Sequence, residues 1–128
     1  MKQNFKSLTV YKKAFVLAME IFEMSKGFPK DEMFGLTMQI RKASRSVCAN
    51  LGEGYRKRQY EAYFVSNVSD ADMENSETQV WLDFALACKY ISEALYSGLT
   101  GKSEEVGRLL NHMLEHPEKY QQNRFKEP

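Results

Sequence analysis

Three groups of side chains in this sequence have the types and spacing to do chemistry. Asp70, Glu74 and Glu77 stand at i, i+4 and i+7, which puts three carboxylates along one face of a helix. His112 and His116 are four residues apart and share a face in the same way. Asn50-Leu51-Gly52-Glu53-Gly54-Tyr55-Arg56-Lys57-Arg58 sets three consecutive cations beside an aromatic ring.

Carboxylate-bridged metal bundles need Glu-x-x-His on two helices, and the sequence has none. Zinc at His112 and His116 needs a third ligand, and Glu115 points elsewhere on the helical wheel. A His pair near a helix C-terminus suits the dipole instead. Cys48 and Cys88 form no metal-type spacing, and there is no nucleophile turn or phosphate-binding glycine loop. The expectation is a non-enzymatic chain with no catalytic residue, no metal and no cofactor.

The third group reads differently. Gly54 could allow a left-handed turn, with Asn50 and Glu53 bonding free helix-end groups. That account leaves Arg56, Lys57 and Arg58 without a packing role. Together with Arg45, and with Tyr55 to stack on a base, they could grip a phosphate backbone. The net charge is only +1, but residues 1–64 carry 12 Lys/Arg against 6 Asp/Glu and residues 65–128 carry 6 against 11. The basic stretch 41–58 is then either a nucleic-acid surface or one half of an internally complementary fold. On the second view Arg41 sits between helices, paired to Glu74 or Glu77, because a buried charge needs a hydrogen-bonded partner.

Helices must position all of these groups. Tyr11, Ala14, Phe15, Ala18, Ile21 and Phe22 form a stripe for a first helix from about Leu8 to Lys26, with Gly27 as a left-handed cap. Leu36, Ile40, Ala43, Val47 and Leu51 mark a second, starting soon after Pro29 and stopped by Gly52 and Gly54. A third runs from about Gln59 to Lys89, with Tyr60, Phe64, Val68 and Ala71 inward. Its stretch Val80–Cys88 is apolar nearly all round, more than one small bundle can cover. Trp81 or Phe84 is therefore expected at a subunit interface. For the fourth, Gly98 and Gly101 allow a break before Ser103, but Leu95, Leu99, Lys102, Val106, Leu109 and Met113 keep one register. That favours a single helix from a Ser92 cap to about Glu115, with Pro117 beyond it.

The fold class expected is all-α, an up-down-up-down antiparallel four-helix bundle. It comprises one domain over residues 1–117 and a polar tail over 118–128. Met1–Lys13 has no signal-peptide pattern, and no run of 18 apolar residues exists to span a membrane. A cytoplasmic protein with reduced thiols is expected.

Several motifs carry a resemblance. They are Phe5-x-x-Leu8-x-Val10-Tyr11-x-Lys13-Ala14, and Phe28-Pro29-x-x-Glu32-x-x-Gly35-Leu36-x-x-Gln39-Ile40-Arg41-Lys42-Ala43. Ser46-Val47-x-x-Asn50-Leu51-x-Glu53-Gly54, Glu77-Thr78-Gln79 and Gly107-Arg108-Leu109-Leu110-Asn111 follow. Over roughly residues 5–114 the chain resembles the four-helix-bundle family encoded in intervening sequences of bacterial 23S rRNA genes. That family is similar in fold to the accessory variability protein of diversity-generating retroelements. Tyr11 and Gly52 stand where the family usually has Trp and Ala. The resemblance implies a ring-like homopentamer with no established enzymatic activity. Relatives near the retroelements bind a reverse transcriptase and RNA through a more basic surface than this chain has. The partners expected are thus further copies of the chain and an RNA or ribonucleoprotein, with no membrane. A protein–protein scaffold without nucleic-acid binding is the alternative.

Overall fold

A computed structural model describes residues 4–121. Among them are four long helices and no strand: α1 (Thr9–Ser25), α2 (Leu36–Arg56), α3 (Glu61–Ala87) and α4 (Glu93–Glu115). Single 3-10 turns lie at Phe5–Ser7, Lys30–Glu32 and Pro117–Lys119.

The helices pack around a cycle, α1 on α2, α2 on α3, α3 on α4 and α4 on α1. Cross-helix contacts fix their sense. Lys13 pairs with Glu105 and Lys102 with Glu20, so α1 and α4 run oppositely. Gly54, near the end of α2, meets Asn67, near the start of α3. No helix among the described residues is long and apolar enough to cross a membrane.

The core has two apolar layers. One gathers Val10, Val47, Leu51, Phe64, Val68 and Leu110; the other gathers Leu17, Ile21, Ile40, Leu82, Ala85 and Leu99. Buried polar groups join α3 to α4. The Asn75 amide donates to the Ser103 carbonyl and the Ser103 hydroxyl donates to Asn75 Oδ1, both at 2.9 Å, and Gln79 donates to the Ser103 hydroxyl. Each buried polar atom there has a partner, which burial requires.

The fourth helix forms unbroken through Gly98 and Gly101. Ser92 is its N-cap, accepting the Leu95 N–H at 3.1 Å. Its inward face is Leu99, Ser103, Val106, Leu110 and Met113. Leu95 and Lys102 stay outside: Leu95 is 42% exposed, and Lys102 reaches across to Glu20.

The second helix corrects the expectation. It begins after the Lys30–Glu32 turn and runs through Gly52 and Gly54 to Arg56. Neither glycine ends it. A Cβ on Gly54 would stand 2.9 Å from Asn67 Cβ, and one on Gly52 would press the Phe5 ring at 3.3 Å. Both are glycine because neighbours pack against bare backbone. Gly27 is no left-handed cap either, since no glycine among the described residues has positive φ. The left-handed residue is Lys89, at φ 64°, which closes α3 with the Tyr90 N–H donating back to the Ala85 carbonyl at 2.9 Å.

The tail expected from residue 118 begins inside the fold. Tyr120 stacks on Phe64 with centroids 6.0 Å apart, and its hydroxyl lies 2.8 Å from His112 Nδ1. The rest of the tail, residues 122–128, lies outside the described residues.

Candidate nucleic-acid interface

Because α2 continues for a full turn past Gly52, the side chains near its end rotate away from the positions the sequence suggests. Tyr55 is buried, at 7% exposure, and cannot stack on a base from solution. Arg58 lies over its ring, 3.9 Å from the centroid, and donates to the Tyr55 carbonyl at 2.7 Å. That Arg finishes the helix by satisfying an end carbonyl. Asn50 donates to the Ser46 carbonyl one turn back rather than to a helix end.

Arg56 and Lys57 are exposed. Arg56 has no ion-pair partner among the described residues. Lys57 stands 3.9 Å from Glu53 and 5.2 Å from the Tyr63 ring centroid. The exposed pair with Glu53 is worth little. The aromatic surface missing from Tyr55 is supplied next door. Tyr60 and Tyr63 are 52% and 58% exposed, with rings meeting edge-on at 6.1 Å. Tyr60 was expected inward; as the N-cap residue of α3 it turns out to solvent. The clue in the sequence was the interval from Tyr60 to Tyr63, which puts Tyr63 off the Phe64–Val68 stripe.

Arg45 is not part of this corner. Arg56 lies eleven positions further along the helix, about 16 Å at the usual rise. It lies over the Phe22 ring at 5.4 Å and lines a groove of about 550 Å³ with Met33, Phe34, Met38, Arg41 and Lys42.

Arg41 departs furthest from expectation. It is partly exposed and faces α1, not α3. Its Nε donates to the Ser25 hydroxyl at 2.7 Å and its guanidinium sits 4.6 Å over Phe22. Neither Glu74 nor Glu77 pairs with it: Glu77 is exposed and accepts from Trp81 Nε1 at 3.1 Å. Partial burial, then Glu77 and Asp70, push the Glu74 carboxyl up from its ordinary value, with Lys42 pulling the other way. A wheel places Arg41 beside the inward stripe without saying which neighbouring helix it meets.

The Trp81 and Phe84 rings meet at a tilt with centroids 5.9 Å apart, with Trp81 half-buried and Phe84 53% exposed. Val80 and Met73 are exposed on the same helix, while Leu82 and Ala85 fill the core. One side of the apolar stretch is therefore covered by the bundle and the other is open. Among the described residues no cluster of His, Cys, Asp and Glu could hold a metal ion. The His112 and His116 rings lie against each other, tilted, with centroids 4.8 Å apart. Both cysteines are free, and burial pushes the Cys48 thiol up to about 11.

Residues 6–112 match the family described as 23S rRNA-intervening sequence protein. A crystal structure from Bacteroides thetaiotaomicron VPI-5482, described as a protein with unknown function from the S23 ribosomal protein family, superimposes with a TM-score of 0.75 at 26% identity. The match covers 83% of this chain and 95% of that one. No curated protein matches the sequence.

Proposed function

Since the chain belongs to the 23S rRNA-intervening sequence protein family, we propose that it is a non-enzymatic homo-oligomer that binds RNA or a ribonucleoprotein through the end of α2. The observation that carries this reading is the juxtaposition of exposed Arg56 and Lys57 with the exposed rings of Tyr60 and Tyr63. Cations neutralise phosphates, and tyrosine rings stack on unpaired bases without regard to sequence. Arg58 serves this surface by holding the end of α2 in place.

Assembly is a ring-like homopentamer that buries Trp81 and Phe84. The open apolar side of α3 supports it, since contiguous exposed apolar surface marks contact sites. Rotational symmetry sets every copy of the corner on one rim, so weak contacts add as avidity. The thiols of Cys48 and Cys88, unpaired here, suit the reducing cytoplasm where we place the protein.

Sequencing of RNA that co-purifies with the native assembly tests the reading. RNA enriched with the wild-type protein and lost from Arg56→Ser/Lys57→Ser supports it. Equal RNA in both preparations contradicts it. The apolar side of α3 also favours the scaffold alternative, which stands if the assembly forms and no RNA accompanies it.

A further inference from the structure

Phe34 is 85% exposed, the most exposed of the large apolar side chains among the described residues. It is not on a loose loop. The Gly35 N–H donates to the Glu32 carbonyl at 2.9 Å, the Met33 N–H donates to the Lys30 carbonyl at 3.1 Å, and Glu32 Oε1 accepts the Leu36 N–H at 3.0 Å. The backbone thus holds the ring out into water. Met33 and Met38 are about half exposed and line the same groove, which follows α2 as far as Ala49. From Leu36 to Ala49 the helix rises about 20 Å.

The charged side chains of this groove are all cations, Arg41, Lys42 and Arg45, and no carboxylate lines it. None of the three has an ion-pair partner among the described residues. Lys42 comes near enough to Glu74 to draw its carboxyl pKa down against burial, without pairing with it. The two arginines are ordered by α1, since both lie over the Phe22 ring and Arg41 also holds the Ser25 hydroxyl. An apolar floor thus runs beside fixed cations whose counter-charges are not in this chain.

We propose that this groove docks an acidic amphipathic helix of another protein, laid along α2 with its apolar face on Phe34, Met33 and Met38 and its carboxylates toward Arg41, Lys42 and Arg45. Charge complementarity selects the occupant: covering these cations without an anion would strand them, and carboxylates flanking an apolar stripe supply one for each. A helix suits the shape, because apolar side chains at i, i+3 or i+4 and i+7 follow a straight groove. The two methionines adapt to the partner's side chains, as flexible thioethers do. RNA fits less well here, because its hydrated phosphates would meet the apolar floor of Met33, Met38 and Ala49. The docking is independent of the proposed function: Arg56 and Lys57 lie at the far end of α2, and Trp81 and Phe84 lie on α3.

Two labelled helical peptides of about 16 residues test it, long enough to span the groove. Both carry one leucine stripe; one is flanked by Glu and the other by Lys. Fluorescence anisotropy is measured with the full chain, as wild type, Phe34→Ser and Arg45→Glu, with circular dichroism confirming the fold. Arg41 is left in place because it anchors α1. Where Phe34→Ser costs the fold, Met38→Ser carries the same test. Wild type is expected to bind the Glu peptide at least about tenfold more tightly than the Lys peptide, and each variant to lose about tenfold for the Glu peptide. Arg45→Glu should also narrow the preference between the two peptides. A wild type that binds the Glu peptide no better than the Lys peptide, or not at all up to about 1 mM, overturns the docking. Binding that Phe34→Ser and Met38→Ser leave unchanged also overturns it. If the Glu peptide fails to bind and Phe34→Ser yields a smaller species in sedimentation, the groove belongs to a second copy and the docking is rejected. If the peptide fails and Arg45→Glu instead weakens binding of a labelled single-stranded RNA, the groove belongs to RNA and the docking is rejected.

Discussion

Arg41 donates from Nε to the hydroxyl of Ser25 at 2.7 Å, so the most inward cation of α2 is anchored to α1. Ser25 in turn donates to the Phe22 carbonyl at 3.0 Å. Removing the guanidinium strands no buried charge. Arg41→Ala should cost about 1–2 kcal/mol, one charge-assisted hydrogen bond and one cation–π contact. A broken buried ion pair would cost about 3–5 kcal/mol. Urea unfolding separates the two values.

Glu74 tests the same point from the other side. Its folded pKa is raised, so ionisation costs stability above the folded pKa, and the cost vanishes below the unfolded one. Glu74→Gln should raise the urea midpoint at pH 7 and leave it unchanged well below the ordinary carboxylate pKa of about 4.3. A lower midpoint at pH 7 would show that Glu74 has a stabilising cationic partner.

Two glycines inside helices should respond oppositely to alanine. Gly54→Ala drives a Cβ to 2.9 Å from that of Asn67, and α2 or α3 must shift. The expected loss is about 1–3 kcal/mol. Gly101 has nothing within 4 Å, so Gly101→Ala should gain about 1 kcal/mol from helix propensity. Thermal unfolding of the two variants gives the signs.

That contrast also explains which features the sequence made legible. Periodicity found four helices, and the Ser92 cap with the Val106–Met113 spacing carried α4 past Gly98 and Gly101. The same residue type misled at Gly52 and Gly54, where glycine answers to a neighbouring helix and not to a turn. Continuing α2 by one turn buried Tyr55 and moved the exposed aromatic surface to Tyr60 and Tyr63. The cations Arg56 and Lys57 were legible because charge stays exposed wherever the chain turns. The partner of Arg41 was not, because a wheel fixes direction from an axis and not the identity of the adjacent helix.

The two thiols should react at very different rates. Cys88 is exposed, while burial holds the Cys48 thiol near 11 and keeps it protonated at neutral pH. A colorimetric disulfide reagent at pH 8 should titrate one thiol quickly and the second only on unfolding. Two fast thiols would mean that the α2 end of the core opens readily.

The claim that the end of α2 grips RNA is tested most directly by titrating a labelled single-stranded RNA with wild type and with Arg56→Ser/Lys57→Ser/Tyr63→Ser. Arg58 is left in place because it holds the Tyr55 carbonyl. Wild-type affinity should fall steeply as salt rises from about 50 to 200 mM, because bound cations release counterions. The variant should lose at least about tenfold in affinity at low salt and show a shallower salt slope. Its sedimentation and melting temperature should match wild type. A variant that binds as wild type does, or a wild type with no measurable affinity at low salt, contradicts the account.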